Sequence, residues 1–387
     1  MDVLLTLLLL LHSAAGGAHG DADSLGRLSG QIAAAAEGRQ QAAQAAVADG
    51  AVPGDPQQDA PKVKGIYVTA YSAGGSRMSS LLELVDRTGL NAMVIDIKDD
   101  NGYITYKTDN PELTRLGSSQ PFIRDIGKTM ETLKKHSIYP IARIVVFKDT
   151  VLAKKHPELS FVTADGSVWK NGKGDSFVNP YRKEVWDYNV AVAEEAAKLG
   201  FKEIQFDYVR FPEGFENKAD HLKYYKTDES RVDVVADFVA YARKRLAPLG
   251  VRVSVDIFGY AASVPAAEGI GQDFVKISQS VNVISPMIYP SHYGAGWFGQ
   301  KNPDTAPYAT IKGAMADTRK KLDPLADRKP IVRPWIQDFT ASWLGKGHYI
   351  PYGAPQVAAQ IQALRESGVD EFLLWNAGNK YSPGVQY

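Results

Sequence analysis

The chain has 387 residues, 44% of them hydrophobic, with 44 Lys plus Arg against 44 Asp plus Glu, so its formal net charge is zero. That balance excludes a broadly basic, nucleic-acid-binding face, while the apolar fraction suits a folded domain with a sizeable core. With no cysteine, the chain has no disulfide, thiolate metal site, cysteine nucleophile or cysteine-linked lipid anchor.

Residues 3–11 are almost wholly apolar, and Ala14, Ala15, Gly16, Gly17 and Ala18 follow as small residues suited to cleavage. The run is too short to span a bilayer, which takes about 20 residues. Residues 1–20 therefore read as a signal peptide, although the leader carries Asp2 and no Lys or Arg. The expected location is secreted, periplasmic or envelope-associated, with no membrane span. Residues 21–61, rich in Ala, Gln and Gly, lack an amphipathic stripe and read as a disordered linker.

From residue 62 to 387 the texture changes. Short apolar, β-rich runs alternate with helical patterns. The predicted strands are 65–70, 92–97, 139–146, 203–208, 251–258, 281–289, 331–337 and 371–376. Between the first two, Met78, Leu81, Leu82 and Val85 recur at helical spacing. Between the third and fourth, Val185, Trp186, Val190, Ala193 and Ala197 do the same. Asn179 is the expected cap of that helix, Pro180 its first turn and Gly200 its stop. Eight strand–helix repeats in one domain predict a closed (β/α)₈ TIM barrel of the α/β class. Too few residues follow the eighth strand for a full eighth helix, so either the linker or nothing covers that gap.

In such a barrel, chemistry sits at the C-terminal ends of the strands. Alternation along each strand tells which side chains face the axis. On strand four, Ile204, Phe206 and Tyr208 form the outward apolar set, leaving Gln205 and Asp207 inward. On strand five, Arg252, Ser254 and Asp256 are inward. Two inward aspartates ending neighbouring strands suit glycoside hydrolysis by a carboxylate pair, and mutual repulsion would raise one pKa. A capping or ion-pairing role leaves the same trace for either aspartate alone.

Asp96 and Lys98 share the predicted inward face of strand two, either to bind sugar hydroxyls or as a buried salt bridge. Asp99, Asp100, Asn101 and Gly102 read as a turn, without the full spacing of a calcium loop. Arg143 on strand three faces inward and needs a carboxylate partner, for which Asp207 is available. Arg210 is a second candidate to orient Asp207. Tyr289, Trp335, Gln337, Trp375 and Asn376, with Tyr67, Tyr71 and Tyr260, place aromatic and amide groups at strand ends, as sugar recognition requires. His292 follows strand six as a lone histidine, read as a loop residue or a substrate contact. No His-x-His, His-Glu-x-x-His or Gly-x-Ser-x-Gly occurs, so neither a metal-dependent hydrolase nor a serine hydrolase is expected, and no metal or other cofactor is assigned.

Several segments together carry a family resemblance: Gly65-Ile66-Tyr67-Val68-Thr69, Val94-Ile95-Asp96-Ile97-Lys98-Asp99, Phe177-Val178-Asn179-Pro180, Gln205-Phe206-Asp207-Tyr208-Val209-Arg210-Phe211-Pro212, Ser254-Val255-Asp256-Ile257-Phe258-Gly259 and Ser285-Pro286-Met287-Ile288-Tyr289-Pro290. Over 63–387 the chain resembles the bacterial "putative glycosyl hydrolase domain" family, a TIM barrel distantly similar to the α-amylase superfamily. The resemblance implies Asp207 as nucleophile and Asp256 as acid/base. Two positions depart from the α-amylase pattern: the acid there is a glutamate, and its arginine two residues before the nucleophile is here Gln205. The resemblance leaves retention, inversion and the sugar open. The expected function is hydrolysis of O-glycosidic bonds in an extracellular or envelope polysaccharide. A non-catalytic carbohydrate-binding barrel and another polysaccharide-modifying hydrolase, such as a deacetylase, are the alternatives. The sequence sets no oligomeric state.

Overall fold

The computed structural model describes residues 55–387. The predicted signal peptide and most of the predicted linker lie outside the described residues.

Eight parallel strands close into a barrel. They are β1 (Lys64–Val68), β2 (Ala92–Lys98), β5 (Tyr139–Val145), β6 (Glu203–Asp207), β7 (Arg252–Phe258), β8 (Val283–Met287), the broken pair β9 (Ile331–Val332) and β10 (Trp335–Gln337), and β11 (Phe372–Trp375). Closure is made by β1, which pairs with both β2 and β11. Every predicted strand is present, with ends within about two residues of expectation. Strand seven divides because Pro334 has no N–H for the ladder. β9 pairs with β8, and β10 pairs with β8 and β11.

Two apolar layers result from the alternation. Outward residues such as Ile95, Ile144, Phe206, Val255 and Ile284 form a continuous core with the surrounding helices. Inward, Tyr67, Val94, Ile141, Tyr289, Trp335 and Leu373 fill the barrel. At its N-terminal end, buried Arg333 lies 2.7 Å from Glu203 and 2.7 Å from Glu371. Asp55 accepts from Arg252 at 2.8 and 2.5 Å, and Gln57 donates to the Gly250 carbonyl at 2.8 Å. The last predicted linker residues are therefore tied to the barrel floor. Polar anchors decide this: an inward arginine needs a carboxylate, and Asp55 supplies it.

The helix α2 (Arg77–Asp86) buries Met78, Leu81 and Val85, as the spacing predicts. Helix α6 (Lys183–Leu199) ends at Gly200 in the left-handed region, φ +105°. Its start differs from expectation. Asn179 makes its own turn, accepting from the Tyr181 N–H at 3.1 Å and donating to the Tyr225 carbonyl at 2.7 Å, and the helix begins at Lys183.

The sequence reading missed an excursion after β2. Here β3 (Tyr103–Tyr106) runs antiparallel to β2, and β4 (Ser118–Ile123) pairs with β3. Asp99 organises the turn, accepting from the N–H groups of Asn101, Gly102 and Tyr103 at 2.9–3.0 Å. Among the described residues no helix covers the seam between β11 and β1. The C-terminal tail does so: Asn379 donates to the Tyr67 carbonyl at 2.9 Å and accepts from the Thr69 N–H at 3.0 Å, and the Tyr381 hydroxyl donates to the same Tyr67 carbonyl.

Candidate active site

The C-terminal ends of the strands surround a cavity of about 470 Å³. Of the residues singled out from sequence, Arg143, Asp207, Arg210, Asp256, Tyr289, His292, Trp335 and Trp375 line it. Register brings the aspartates together. Phe206 on β6 pairs with Val255 on β7, so one residue further Asp207 stands abreast of Asp256 on a neighbouring strand, about 4.8 Å away in the pairing direction.

Their surroundings differ. Asp207 Oδ2 accepts from Arg143 Nε at 2.9 Å and Nη2 at 2.6 Å, and its Oδ1 accepts from the Tyr208 N–H at 2.6 Å. These charge-assisted bonds tie the carboxylate to the Arg143 fork. Asp256 is 2% exposed and has no arginine partner among the described residues. Its Oδ1 accepts from Trp335 Nε1 at 2.7 Å. Burial first, then the negative charge of Asp207, pushes the Asp256 pKa well up, which favours the protonated acid. The Tyr289 phenol is likewise pushed well up, by burial and then by the charges of Asp256 and Asp207.

Arg143 is the hub of the floor. Besides Asp207 it donates to Asp96 Oδ1 at 2.7 Å and Asp100 Oδ2 at 3.2 Å. Its guanidinium lies 5.5 Å from the Tyr67 ring centre and 5.6 Å from that of Trp375, and those two rings stack at 4.2 Å. Asp96 does not line the cavity. It sits beneath it, accepting from the Tyr67 hydroxyl at 2.6 Å, with a pKa raised by burial to about 6. Burial also works on Asp100, but the charges of Arg143 and Lys148 outweigh it and lower that pKa.

Four predicted contacts need correction. Lys98 does not face the axis: a bulge between Asp96 and Lys98 shifts the register. Its ammonium is fully buried, 2.7 Å from Asp149 and donating to the Val145 carbonyl at 2.6 Å. Lys98 is thus the structural ion pair, not a substrate contact. Gln337, the last residue of β10, buries its side chain against neighbouring loops, donating to Asp304 at 2.9 Å and accepting from the Ser291 N–H at 3.0 Å. Asn376 shapes the turn after β11, donating to the Asp338 carbonyl at 2.6 Å and accepting from the Gly378 N–H at 2.9 Å. Arg210 does not orient Asp207. It bonds the Phe211 carbonyl and Glu213, both at 3.1 Å, and lies 4.7 Å from the Phe258 ring centre.

Replacing Lys98 by methionine is expected to cost about 3–5 kcal/mol, because Asp149 would be left buried and unpaired. Since burial already raises the Asp149 pKa, part of the loss returns at acid pH, where the carboxyl is neutral. Urea unfolding at pH 7 and pH 4 measures both effects.

The cavity also contains residues the sequence reading did not assign to it. Tyr208 was expected outward, but φ of +51° turns the chain directly after β6 and swings the ring to the cavity rim. Asp100, read only as part of a turn, reaches Arg143. Lys173 and Glu213 come from loops whose course no periodicity reports. The Tyr260 ring stacks on Phe258 at 5.6 Å, and both line the wall. His292 meets Ser291 Oγ at 3.0 Å and also faces the cavity. Burial lowers its pKa, Glu213 opposes that and Lys173 adds to it, leaving a neutral imidazole near pH 7.

No curated protein matches the chain. Among solved structures, a hypothetical protein from Ruminiclostridium thermocellum is 34% identical, with 49% of this chain and 96% of that chain covered and a TM-score of 0.45. The Bacillus megaterium spore cortex-lytic enzyme SleL is 13% identical over 83% of this chain and 72% of that one, TM-score 0.47. A family 20 exo-β-N-acetylglucosaminidase from Vibrio harveyi is 15% identical over 83% and 51%, TM-score 0.49. A family model described as "Putative glycosyl hydrolase domain" matches residues 65–381, most of the chain and the whole set of strands around the cavity, and the chain belongs to that family.

Proposed function

We propose that the protein hydrolyses O-glycosidic bonds of a polysaccharide, with Asp256 as general acid and Asp207 as the anionic nucleophile or base. One observation carries the reading. Two aspartates on adjacent strands open into one cavity, one gripped by a guanidinium and the other driven toward its neutral form. That is the division of labour glycoside hydrolysis needs.

Asp256 Oδ1 is occupied by Trp335, so the proton leaves from Oδ2 toward the glycosidic oxygen. As the bond breaks, the sugar ring gains oxocarbenium character. Asp207, Asp100 and Asp96 then present more negative charge than Arg143 alone cancels, which stabilises that cation. Trp375, Trp335 and Tyr289 give the cavity aromatic walls suited to a pyranose ring. The apolar leader of the sequence favours an extracellular or envelope glycan as the substrate of this reading. A purely binding barrel would be favoured had both carboxylates been locked to arginines. Only Asp207 is.

Incubation with a panel of extracellular and envelope polysaccharides should release new reducing ends from at least one. The folded Asp207→Asn/Asp256→Asn variant should release none from that substrate. Release by that variant at the wild-type rate would remove the assignment.

A further inference from the structure

A second cavity of about 300 Å³ adjoins the first, and Lys173, Tyr208, Arg210 and Glu213 line both. The Tyr208 ring is thus part of the wall of both spaces. That ring is held between cations, Lys148 at 4.9 Å and Arg210 at 5.0 Å from its centre. At φ +51° Tyr208 sits in the left-handed region that non-glycine residues rarely adopt, and the fold holds it there beside both spaces.

The outer cavity differs in charge from the inner one. It is lined by three cations, Lys148, Lys173 and Arg210, and by two carboxylates, Asp175 and Glu213. Arg210 bonds Glu213 at 3.1 Å. Lys148 stands 3.6 Å from both Asp175 and Asp100, close enough to neutralise but beyond good hydrogen-bond length. Lys173 has no hydrogen bond or ion pair at its ammonium among the described residues. Its loop is shaped instead by Asn171 Oδ1, which accepts from the N–H groups of Lys173 and Asp175 at 2.8 and 2.9 Å. A surplus of one cation thus borders the acidic catalytic cavity.

We propose that this outer cavity is a subsite for a sugar bearing a carboxylate, recognised by Lys173 with Lys148 behind it. The substrate is then an acidic glycan whose charged unit lies next to the unit being cleaved. This rests on the hydrolase reading for the inner cavity but is separable from it. The inner cavity, with its aspartates, disfavours an anion, and the outer one welcomes it. Such a pattern fixes the register of an alternating or acidic chain across the cleavage point.

The carboxylate can belong to a uronic acid ring or to a lactyl ether on an amino sugar. Calorimetry with the wild-type protein is run on oligogalacturonate, hyaluronan oligosaccharide and peptide-free peptidoglycan strands. Each is tested beside its carboxyl-reduced form, and the same samples are analysed for new reducing ends. The expected result is about fivefold tighter binding of one carboxylated probe over its reduced form, weakening with added salt. Lys173→Gln should bring the pair near parity, and Lys173→Glu should invert the order. The probe that shows the preference identifies the source of the carboxylate. Parity in the wild type, binding of no probe, or a preference that survives Lys173→Glu overturns the subsite. Cleavage of a charged and a reduced probe alike leaves the hydrolase and removes the subsite. Preferential binding with no cleavage keeps the subsite and removes the hydrolase.

Discussion

Asp256→Asn is expected to lower kcat/KM on a natural glycan by roughly 10²–10⁴-fold, the usual contribution of a positioned general acid. The amide keeps the Trp335 hydrogen bond to an oxygen at the same position, so the fold should hold. What disappears is the proton for the departing sugar hydroxyl. An aryl glycoside with a nitrophenolate leaving group departs without that proton, so the variant should retain most of its wild-type rate there. Asp207→Asn should lose both substrates, because it removes the anion that meets the sugar carbon. The pH dependence follows from the raised Asp256 pKa. The acid is competent below that pKa and loses its proton above it, so activity falls on the alkaline side. The Asp207 charge is the second cause of the raised value, after burial. Removing it in Asp207→Asn should move the Asp256 titration to lower pH, as followed by NMR of labelled aspartate carboxyls. Equal losses on both substrates for the two variants would sink the separate roles.

The barrel was legible because its signals are local and repeated. Strands such as Ala92–Lys98 and Tyr139–Val145 are buried throughout, and a near-continuous apolar run between turn signals marks a strand covered on both faces. Parity then assigned Asp207, Asp256, Arg143, Tyr289 and Trp335 to the cavity side without knowledge of any contact. Parity failed where the backbone departs from the regular pleat. The bulge at Ile97 turned Lys98 away, and the positive φ at Tyr208 brought a residue counted as outward to the rim. Neither event has a marker in the residue type, since both positions carry ordinary strand formers or long side chains. Contacts made by loops were less legible still. Nothing local in Lys173 or Glu213 announces the cavity, and Arg210 stood near Asp207 in sequence yet pairs with Glu213. Asp55 shows the same limit at the barrel floor. It lies in a low-complexity stretch and is fixed by an arginine far along the chain.

Arg143→Ala is expected to be the most damaging single change to stability near the site, costing about 3–5 kcal/mol at pH 7. Arg143 is 1% exposed and is shared by Asp96, Asp100 and Asp207. Without it three carboxylates face one another, with Asp256 adjoining them. Lysine does not restore the arrangement, because one ammonium cannot present the fork that grips Asp207 through two nitrogens while reaching Asp96. The pH dependence has a definite sign. In the wild type the Asp96 pKa is already raised to about 6 by burial, before the Arg143 charge that opposes the rise is taken away. Its folded-state pKa exceeds the unfolded value, so its contribution is fully present below the unfolded pKa and is lost as pH rises through about 6. Removing Arg143 raises the folded-state pKa of Asp96 and also that of Asp100, which Arg143 holds down in the wild type. The deficit should therefore be largest near neutral pH and should shrink on the acid side, as the carboxylates take up protons. Denaturant unfolding of wild type, Arg143→Ala and Arg143→Lys from pH 4 to pH 8 tests this. A deficit independent of pH would mean that lost packing against Tyr67 and Trp375, rather than unpaired charge, sets the cost.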